Sequence, residues 1–530
     1  MSELPPEAAP EPAAVRPGTG RSLGALAGAL GAATSLAVLE VAALLDPDGS
    51  SVLESVGNRV IDSFAASLKD VAVAIFGTSD KAALQIGTVV IALAIGAWLG
   101  SWLDRRPAVL LGGFAAFGAF GTWATAVDPQ GSAVLALVAC AVAALAGATV
   151  ALGLHGRWSR GTPDAAEPAL DRRAVLVRGG VVLGVLAVGA AVARSVRDGI
   201  RESRLSQAVA RRGPIPSAAT VVSAPEGTLD QPGPDQVEGI SPYLTPVDDF
   251  FRIDTALRVP VVDVDRWRLA VTGMVDRPLE LSYDDLLARE LIEVPITIQC
   301  VSNEVGGDLV GTASWRGVRL AEVLREAGVQ GGAEQLVGES VDGFTAGFPV
   351  EAALDGRDAL IAVAMDGRPL PPEHGFPVRL IVPGLYGYVS ATKWLSEIRA
   401  TTWDEAGYWI PRGWAREGPI KTMSRIDVPR SGSDVEAGAR PIAGVAWAPH
   451  RGIVRVEVRI DGGAWQEATL GPTASEDTWI QWWLRWDATP GDHELEVRAT
   501  AADGDVQTDA EAPPAPDGAT GHHTVRVAVR

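Results

Sequence analysis

The chain has 530 residues, enough for about three domains, and a formal net charge of −20. This acidity argues against nucleic acid as a partner, because phosphate binding needs clustered cationic residues. Hydrophobic residues make up 47% of the chain, and the first 200 residues hold most of the long apolar stretches. The two cysteines form no CxxC pair, which argues against a c-type haem or a structural zinc site.

Residues 1–200 are predicted to be a membrane anchor. Five stretches are apolar and long enough to cross a bilayer as helices of about 20 residues. These stretches are 23–45, 82–103, 108–127, 132–154 and 174–193. The stretch 52–76 is apolar but interrupted by charges, which predicts an amphipathic or interfacial segment. Because the spans contain few ionisable groups, mainly Glu40, a transporter is disfavoured.

Basic residues in the connections predict the orientation of the spans. Arg105 and Arg106 lie between the second and third spans, and Arg157 lies between the fourth and fifth, whereas the connection 128–131 has no basic residue. By the positive-inside rule, five spans then place residues 194–530 outside the cytoplasm. The pair Arg172-Arg173 before the fifth span resembles the twin-arginine signal, which exports folded proteins. The alternative is that the pair only obeys the positive-inside rule.

The remainder of the chain is predicted to hold a linker and two domains. Residues 201–240 are rich in Pro, Gly and Ser and are predicted to be the linker. Short strands and helices mix irregularly over 241–428, which is typical of an α+β domain. Regular strands with turn signals over 436–530 predict a β-sandwich.

Cys300 is the candidate metal ligand. A buried cysteine is usually a small core residue, but Cys300 ends an apolar strand predicted at Val294–Gln299 and precedes the polar turn Ser302-Asn303-Glu304. A strand end of this kind presents a side chain to a cleft, and a thiolate is a good soft ligand for a transition metal.

A second candidate feature is the run HGFPVR at 374–379, followed by PGLYGY at 383–388 and Lys393-Trp394. It places a histidine, an arginine and one of only four lysines around glycine-rich turns, a composition suited to binding phosphate. The alternative is three unrelated surface residues.

These segments, with a DGG…W pattern near the C-terminus, resemble the sulfite oxidase family of mononuclear molybdopterin-dependent oxidoreductases, in the order in which that family carries them. The resemblance covers about residues 241–530. It implies a molybdenum–molybdopterin cofactor (Moco) with Cys300 as the protein ligand of the metal. It also implies an α+β sulfite-oxidase-type molybdopterin-binding domain and a C-terminal immunoglobulin-like β-sandwich of the kind that commonly mediates dimerisation. Positions that match cofactor contacts in the family, or the segment leading to the cofactor, are Arg252, Asp254, Thr255, Ser340, His374, Arg379, Ala391, Thr392 and Lys393.

The resemblance further implies oxygen-atom transfer to or from a small oxo substrate of the sulfite or sulfoxide type, with electrons exchanged with an external cytochrome or quinone-linked partner. Arg412 and Arg451 match substrate-binding arginines of sulfite oxidases. Trp414, however, stands where those enzymes carry a tyrosine, and Ile253-Asp254 stands near the place of another arginine. A sulfoxide is therefore as favoured as sulfite. The alternative to an enzyme is a catalytically silent envelope binding or scaffold protein of the same fold.

Overall fold

The computed structural model describes residues 19–63, 80–159, 172–211, 214–225 and 237–530. The chain divides into two units, Met1–Glu202 and Ser203–Arg530.

Helices dominate the described part of the first unit. Their bounds are α1 Thr19–Ala42, α2 Val52–Ser63, α3 Asp80–Gly100, α4 Pro107–Ala126, α5 Ala133–Ser159 and α6 Arg172–Ala210.

Within the described ranges, four helices have the length and apolar composition needed to cross a membrane: Arg21–Leu45, Pro107–Ala126, Ala133–Trp158 and Val177–Ala210. They coincide with four of the five predicted spans. The second predicted span, 82–103, coincides with α3, whose described apolar part is the shorter segment Leu84–Gly100. The predicted interfacial segment 52–76 is helical over Val52–Ser63, and its remainder lies outside the described residues.

Glycines let α1 and α3 approach closely. A β-carbon added at Gly28 would lie 2.1 Å from the Gly96 carbonyl oxygen, and one added at Gly100 would lie 2.2 Å from the Gly24 carbonyl oxygen. Any larger side chain would push the two backbones apart, and small residues have this role at many helix contacts in membranes.

Contacts between helix ends define two opposite ends of this unit. At one end, a β-carbon added at Gly24 would lie 2.4 Å from the Gly100 carbonyl oxygen and 3.7 Å from the His155 ring. At the other end, Ser50 N donates to the Gln130 carbonyl at 2.9 Å. The starts of α1 and α6 lie together, because a β-carbon at Gly179 would meet Leu26, and Arg194 pairs with Glu40 near the end of α1 at 3.3 Å. Helix α6 therefore runs parallel to α1.

A buried ion pair holds α2 against α6. Arg197 donates to both carboxylate oxygens of Glu54, each at 3.1 Å, and the two side chains are 1% and 4% exposed. Glu54 also accepts the backbone N–H of Ser51, the residue before α2. Removing one partner of such a pair would leave the other charge buried and uncompensated, which is strongly destabilising.

The described part of the second unit contains four short α-helices and 20 strands. The helices are α7 Tyr283–Leu287, α8 Leu320–Ala327, α9 Glu351–Leu354 and α10 Gly387–Ser390. The first strands are β1 Thr220–Val221, β2 Arg268–Gly273, β3 Leu279–Ser282, β4 Ile292–Gln299, β5 Val310–Arg319, β6 Gln335–Ser340, β7 Thr345–Pro349, β8 Leu360–Met365, β9 Arg368–Pro369, β10 Arg379–Ile381 and β11 Leu395–Thr401. The remaining strands are β12 Met423–Val428, β13 Asp434–Val435, β14 Gly438–Trp447, β15 Ile453–Ile460, β16 Gln466–Glu467, β17 Thr469–Leu470, β18 Ile480–Ala488, β19 Gly491–Ala501 and β20 His523–Val529.

The first eleven strands form two mixed sheets. One has the order β1-β4-β5-β8-β10, with β9 beside β8, and the other has the order β3-β2-β11-β6-β7. Residues of both sheets share one hydrophobic core, to which Val445, Trp447 and Trp479 also belong. The last nine strands form a four-stranded sheet, β12-β14-β18-β17, and a five-stranded sheet, β13-β20-β19-β15-β16, with a separate core between them.

Two segments differ from the predicted domain bounds. Residues 201–240 were expected to be a linker, but α6 continues to Ala210, and β1 pairs in parallel with β4. The catalytic domain was expected to extend to residue 428, but β12 pairs with β14 of the C-terminal sheets. Both differences involve pairing with residues distant in sequence, which local composition does not reveal.

Candidate active site

Cys300 directly follows β4 and is buried. Its backbone N–H donates to the Leu309 carbonyl at 2.9 Å, and its carbonyl accepts the Asn303 N–H at 3.0 Å. The side-chain oxygen of Asn303 accepts the Leu309 N–H at 2.8 Å. These bonds close residues 300–309, called here the cysteine loop, and fix the backbone that carries the thiol.

The C-terminal sheets brace the strand that leads to Cys300. The indole N–H of Trp447 donates to the Gln299 side-chain oxygen at 2.8 Å, and both groups are buried. Trp479 N donates to the Thr297 hydroxyl at 2.7 Å, and Thr297 N donates to the Asp477 carbonyl at 2.9 Å. The position of the thiol therefore depends on residues that lie 148 to 182 positions further along the chain than the residues they contact.

Four basic side chains and one carboxylate form a second group, called here the cationic cluster: Arg252, His374, Arg379, Lys393 and Asp254. Lys393 Nζ lies 2.9 Å from the Asp254 carboxylate, and the two side chains are 10% and 3% exposed. Arg252 Nε reaches the same carboxylate at 3.0 Å. Sequence reasoning named all five residues, and the structure brings them together.

Arg379 is the most deeply buried cation of the cluster. Its guanidinium donates to the carbonyls of His374 at 3.1 Å and Ala391 at 3.5 Å, and it lies 5.0 Å from the centre of the Trp315 ring. Among the described residues, its Nε atom has no hydrogen-bond partner.

Burial dominates the electrostatics of the cluster. Burial, followed by the charges of Arg379 and Lys393, lowers the pKa of His374 to about 4, so this imidazole is neutral at pH 7. Burial lowers the pKa of Lys393 to about 8, against the opposing effect of Asp254. It lowers the pKa of Arg379 to about 9. Both groups therefore remain mainly protonated at pH 7.

The charges of the cluster do not balance. Lys393, Arg379 and Arg252 face Asp254 and the more distant Asp342, whose pKa is raised by burial. Buried charges are normally paired, so this excess of positive charge, with an unused donor on Arg379, fits a bound anion such as a phosphate.

Helix α10 connects the cationic cluster to Cys300. A β-carbon at Gly387, its first residue, would lie 3.7 Å from the carbonyl oxygen of Gln299. Arg379 donates to Ala391, which follows the last residue of the helix. One short helix therefore contacts both the strand end that precedes Cys300 and the base of the cluster.

The other three candidate cofactor residues border this region. Thr392 is buried, and its carbonyl accepts the Leu380 N–H at 2.9 Å. Ser340 is buried at the end of β6, and Asp342, which lies within electrostatic range of Lys393, is hydrogen-bonded to it. Thr255 is half-buried next to Asp254.

Trp414 and Arg412 lie in an aromatic group. The Trp414 ring centre is 5.9 Å from that of Tyr388, in α10, and 6.2 Å from that of Trp409. The guanidinium of Arg412 stacks 3.7 Å from the centre of the Tyr408 ring and donates to the Tyr408 carbonyl at 2.5 Å. Stacking of this kind occupies one face of the guanidinium.

Arg451 is neutralised by carboxylates. It pairs with Asp505 at 2.9 Å and Asp503 at 3.3 Å, and it donates to the Ile420 carbonyl at 3.0 Å. Arg451 and Cys300 both lie within electrostatic range of the Tyr386 phenol. Burial raises the pKa of this phenol to about 12.

Sequence reasoning assigned no role to Tyr386, Tyr388 or Asn303. The two tyrosines belong to the PGLYGY run, and Asn303 follows Cys300 by three positions, so each stands inside a segment that was singled out. Their neighbours depend on tertiary contacts, which the run itself does not reveal.

Within the described residues, there is no group of three or more His, Cys, Asp and Glu side chains that could hold a metal ion. A metal at Cys300 would accordingly take most of its ligands from a cofactor, as a molybdopterin site requires.

Comparisons with known proteins agree with this geometry. Residues 256–409 match the family described as "Oxidoreductase molybdopterin binding domain". This range includes Cys300, His374, Arg379 and Lys393, and it ends before Arg412.

Three relatives illustrate the similarity. The chain is 32% identical to mitochondrial sulfite oxidase of Homo sapiens over 320 residues, which cover 51% of this chain and 58% of that protein. It is 32% identical to sulfite oxidase of Gallus gallus over 324 residues, which cover 51% of this chain and 69% of the relative. It is 36% identical to the uncharacterized oxidoreductase YuiH of Bacillus subtilis over 156 residues, which cover 29% of this chain and 76% of the relative.

The chain thus spans 58% of the length of the human enzyme, while it covers more than two thirds of the chicken and Bacillus proteins. The cofactor of this family is the molybdenum cofactor. The excess positive charge of the cationic cluster and the unused donor of Arg379 fit the anionic part of that cofactor. The chain belongs to the sulfite oxidase-type family of molybdopterin-dependent oxidoreductases.

Proposed function

We propose that this protein catalyses oxygen-atom transfer to or from a small oxo substrate at the outer face of a membrane, with its metal bound by Cys300. The observation that carries the proposal is the pairing of a buried thiol with a buried cationic cluster through the single helix α10. In a molybdopterin-binding domain, these two features match the metal and the anionic part of the cofactor.

The bound cofactor supplies the two-electron redox change on which oxygen-atom transfer depends. The chain's own residues bind and orient it. Lys393 and Arg379 supply charge to the anionic part, His374 remains neutral beside them, and Asp254 fixes the ammonium of Lys393. Arg252, Thr255, Ser340, Ala391 and Thr392 complete the surrounding contacts.

The two retained arginines support a proposal for the substrate class. The charge of Arg451 is already compensated by the carboxylates of Asp503 and Asp505. The guanidinium of Arg412 is stacked on the ring of Tyr408. Trp414 adds an aromatic surface beside Tyr388. A dianion such as sulfite gains little from compensated arginines, whereas a neutral S-oxide with an apolar substituent gains contact with the rings. We therefore favour a substrate of the sulfoxide type over sulfite.

A direct comparison of substrates tests this function. The full chain, purified in detergent from a host that makes molybdopterin, is expected to contain stoichiometric molybdenum and to reduce a small aryl or alkyl sulfoxide with a viologen donor faster than it oxidises sulfite with ferricyanide. Cys300→Ser should lose turnover of every substrate, because the thiolate ligand is gone. Ser302→Ala, which changes an exposed neighbour in the same loop, is the matched control. Full activity of Cys300→Ser would refute the assignment of the metal ligand, whereas a folded wild-type chain without molybdenum would favour a silent scaffold.

The electrons must be exchanged with an external partner, which donates them if a sulfoxide is reduced. His155 is the only histidine in the first unit, so this unit does not supply the two axial ligands of a bis-histidine haem. A cytochrome or a quinone-linked protein is the proposed partner. Stopped-flow experiments that follow electron transfer from each reduced partner to the loaded enzyme would distinguish between them.

The C-terminal sheets are proposed to be an immunoglobulin-like domain that mediates a homodimer. Two sheets that share one core, antiparallel except for the parallel pair of β13 and β20, support this assignment. Light scattering of the detergent-solubilised chain gives its mass, and a strictly monomeric protein would overturn the proposal.

A further inference from the structure

Asn303 carries a buried hydrogen-bond donor that the described residues leave unused. The residue is 1% exposed, and its side-chain oxygen accepts the Leu309 N–H at 2.8 Å. Because that N–H can only donate, the amide orientation is fixed, and the side-chain nitrogen points elsewhere. This nitrogen has no hydrogen-bond partner among the described residues. A buried donor in this state costs about 1–3 kcal/mol, so its position requires an explanation.

Residues outside the cysteine loop restrain its backbone, so the Asn303 side-chain amide does not turn towards water. Gly306 has a φ of +76°, and an added β-carbon there would lie 2.3 Å from the His523 ring. The Arg425 guanidinium donates to the Gly307 carbonyl at 2.5 Å and pairs with Asp427 at 2.7 Å. The C-terminal sheets therefore restrain the cysteine loop at Gly306 and Gly307.

The unused donor belongs to the same turn as the candidate metal ligand. Asn303 N donates to the Cys300 carbonyl, and Cys300 N donates to the carbonyl of Leu309. Leu309 thus bonds to both residues, through its carbonyl to the backbone of Cys300 and through its N–H to the amide of Asn303. The unused donor therefore lies in the same hydrogen-bonded turn as the thiol.

We propose that the Asn303 side-chain amide is a further binding residue of this site, which donates an N–H to an anionic oxygen or sulfur atom of the molecule held beside Cys300. The inference rests on the proposed function, since it requires a cofactor at that cysteine. The acceptor atom belongs either to the cofactor or to the substrate, and both supply the same chemistry.

Asn303→Asp tests the donor alone, because the carboxylate keeps the oxygen that accepts from Leu309 but has no N–H group. Asn303→Leu removes the donor without adding a charge, and it guards against a folding defect of the first variant. Ser302→Ala is the control in the same turn. The readouts are molybdenum content, the Mo(V) electron paramagnetic resonance spectrum without substrate, and KM and kcat separately, all on the full chain in detergent.

If the acceptor belongs to the cofactor, both variants bind about 10-fold less molybdenum or shift the Mo(V) spectrum before substrate is added. If it belongs to the substrate, metal content and spectrum are unchanged and KM rises about 10-fold. Either pattern supports the inference. Variants that match the loaded wild type in all readouts would overturn the inference alone, whereas a wild-type chain without molybdenum would overturn the proposed function as well.

Discussion

At the scale of single residues, the environment of Lys393 shows how the site keeps an excess of positive charge. Its ammonium lies 2.9 Å from the Asp254 carboxylate and 3.2 Å from the Glu373 carbonyl, in a place that water barely reaches. Asp254 is shared with Arg252, so the carboxylate only partly compensates the two cations. The remaining charge is available to an anionic ligand.

Lys393→Met should therefore reduce the molybdenum content of the purified chain. The loss of a charge-assisted hydrogen bond, about 1.5–3 kcal/mol, corresponds to roughly 10- to 100-fold weaker binding. Lys421→Met is the matched control, because Lys421 pairs with the exposed Asp517 outside the cluster. Metal analysis of both proteins gives the result, and equal molybdenum contents would contradict a role of Lys393 in cofactor binding.

His374 predicts a dependence of stability on pH. The folded protein keeps this imidazole neutral down to about pH 4, whereas the unfolded chain protonates it near its ordinary pKa of about 6.5. Between these values the unfolded state binds more protons, so the free energy of unfolding should fall as the pH is lowered from about 6.5 to about 4. His523, whose pKa is also lowered to about 4 by burial, adds to the effect.

Thermal unfolding of the cofactor-free chain from pH 7 to pH 4 measures this dependence. His374→Gln should make it less steep without removing it, because His523 remains. A bound anion favours the protonated imidazole, so loading the cofactor should also reduce the steepness. An unfolding temperature that does not depend on pH in this window would contradict the assignment of two neutral buried histidines.

At the scale of elements, the cysteine loop depends on the C-terminal sheets. The loop contacts His523 at the start of β20 and Arg425 in β12, while Trp447 of β14 bonds to the residue before Cys300. The C-terminal sheets are therefore part of the structure that positions the thiol, whatever their role in dimerisation.

Gly306→Ala tests this contact. Gly306 and Gly462 both have positive φ values, +76° and +68°, but a β-carbon at Gly462 would meet nothing within 4 Å. Gly462→Ala should therefore cost only the backbone strain of about 1–2 kcal/mol. Gly306→Ala should cost about 1–3 kcal/mol more, because its methyl group collides with the His523 ring.

Thermal unfolding of the full chain in detergent compares the two substitutions. Adding His523→Ala to Gly306→Ala should recover part of the difference, since it removes the ring that the methyl group meets. Equal effects of the two glycine substitutions would mean that the ring does not restrain the loop.

Local sequence patterns predicted individual helices and strands better than they predicted which strands pair with one another. Strand β4 extends the predicted strand Val294–Gln299 by two residues, because side-chain periodicity determines such elements. Strands β1 and β12 were not predicted as parts of their sheets, since both pair with residues far away in sequence. In the same way, Cys300 and the cationic cluster were found from their motifs, whereas Asn303 and Tyr386 required tertiary contacts.

At the scale of the whole molecule, we propose that the chain crosses the membrane five times, and the proposal rests on the helix ends. Gly24 at the start of α1, Gly100 at the end of α3 and His155 near the end of α5 lie together, while Ser50 and Gln130 lie together at the opposite end. Helix α3 therefore covers the same distance as its neighbours although its apolar part is short. Arg105 and Arg106 after α3 and Arg157 in the last turn of α5 are basic residues at one end of the helices, and by the positive-inside rule we propose that this end faces the cytoplasm.

Cysteine labelling in intact cells tests this orientation. Because the natural Cys140 and Cys300 are both buried, a membrane-impermeant maleimide should react mainly with introduced thiols. Ser50→Cys, Pro129→Cys and the exposed Thr508→Cys should be labelled from outside, and Arg105→Cys only after the membrane is permeabilised. If Ser50→Cys were protected while Pro129→Cys was labelled, α3 would not cross the membrane. If Thr508→Cys were also protected, the catalytic unit would face the cytoplasm, and its electron partner would have to be sought there.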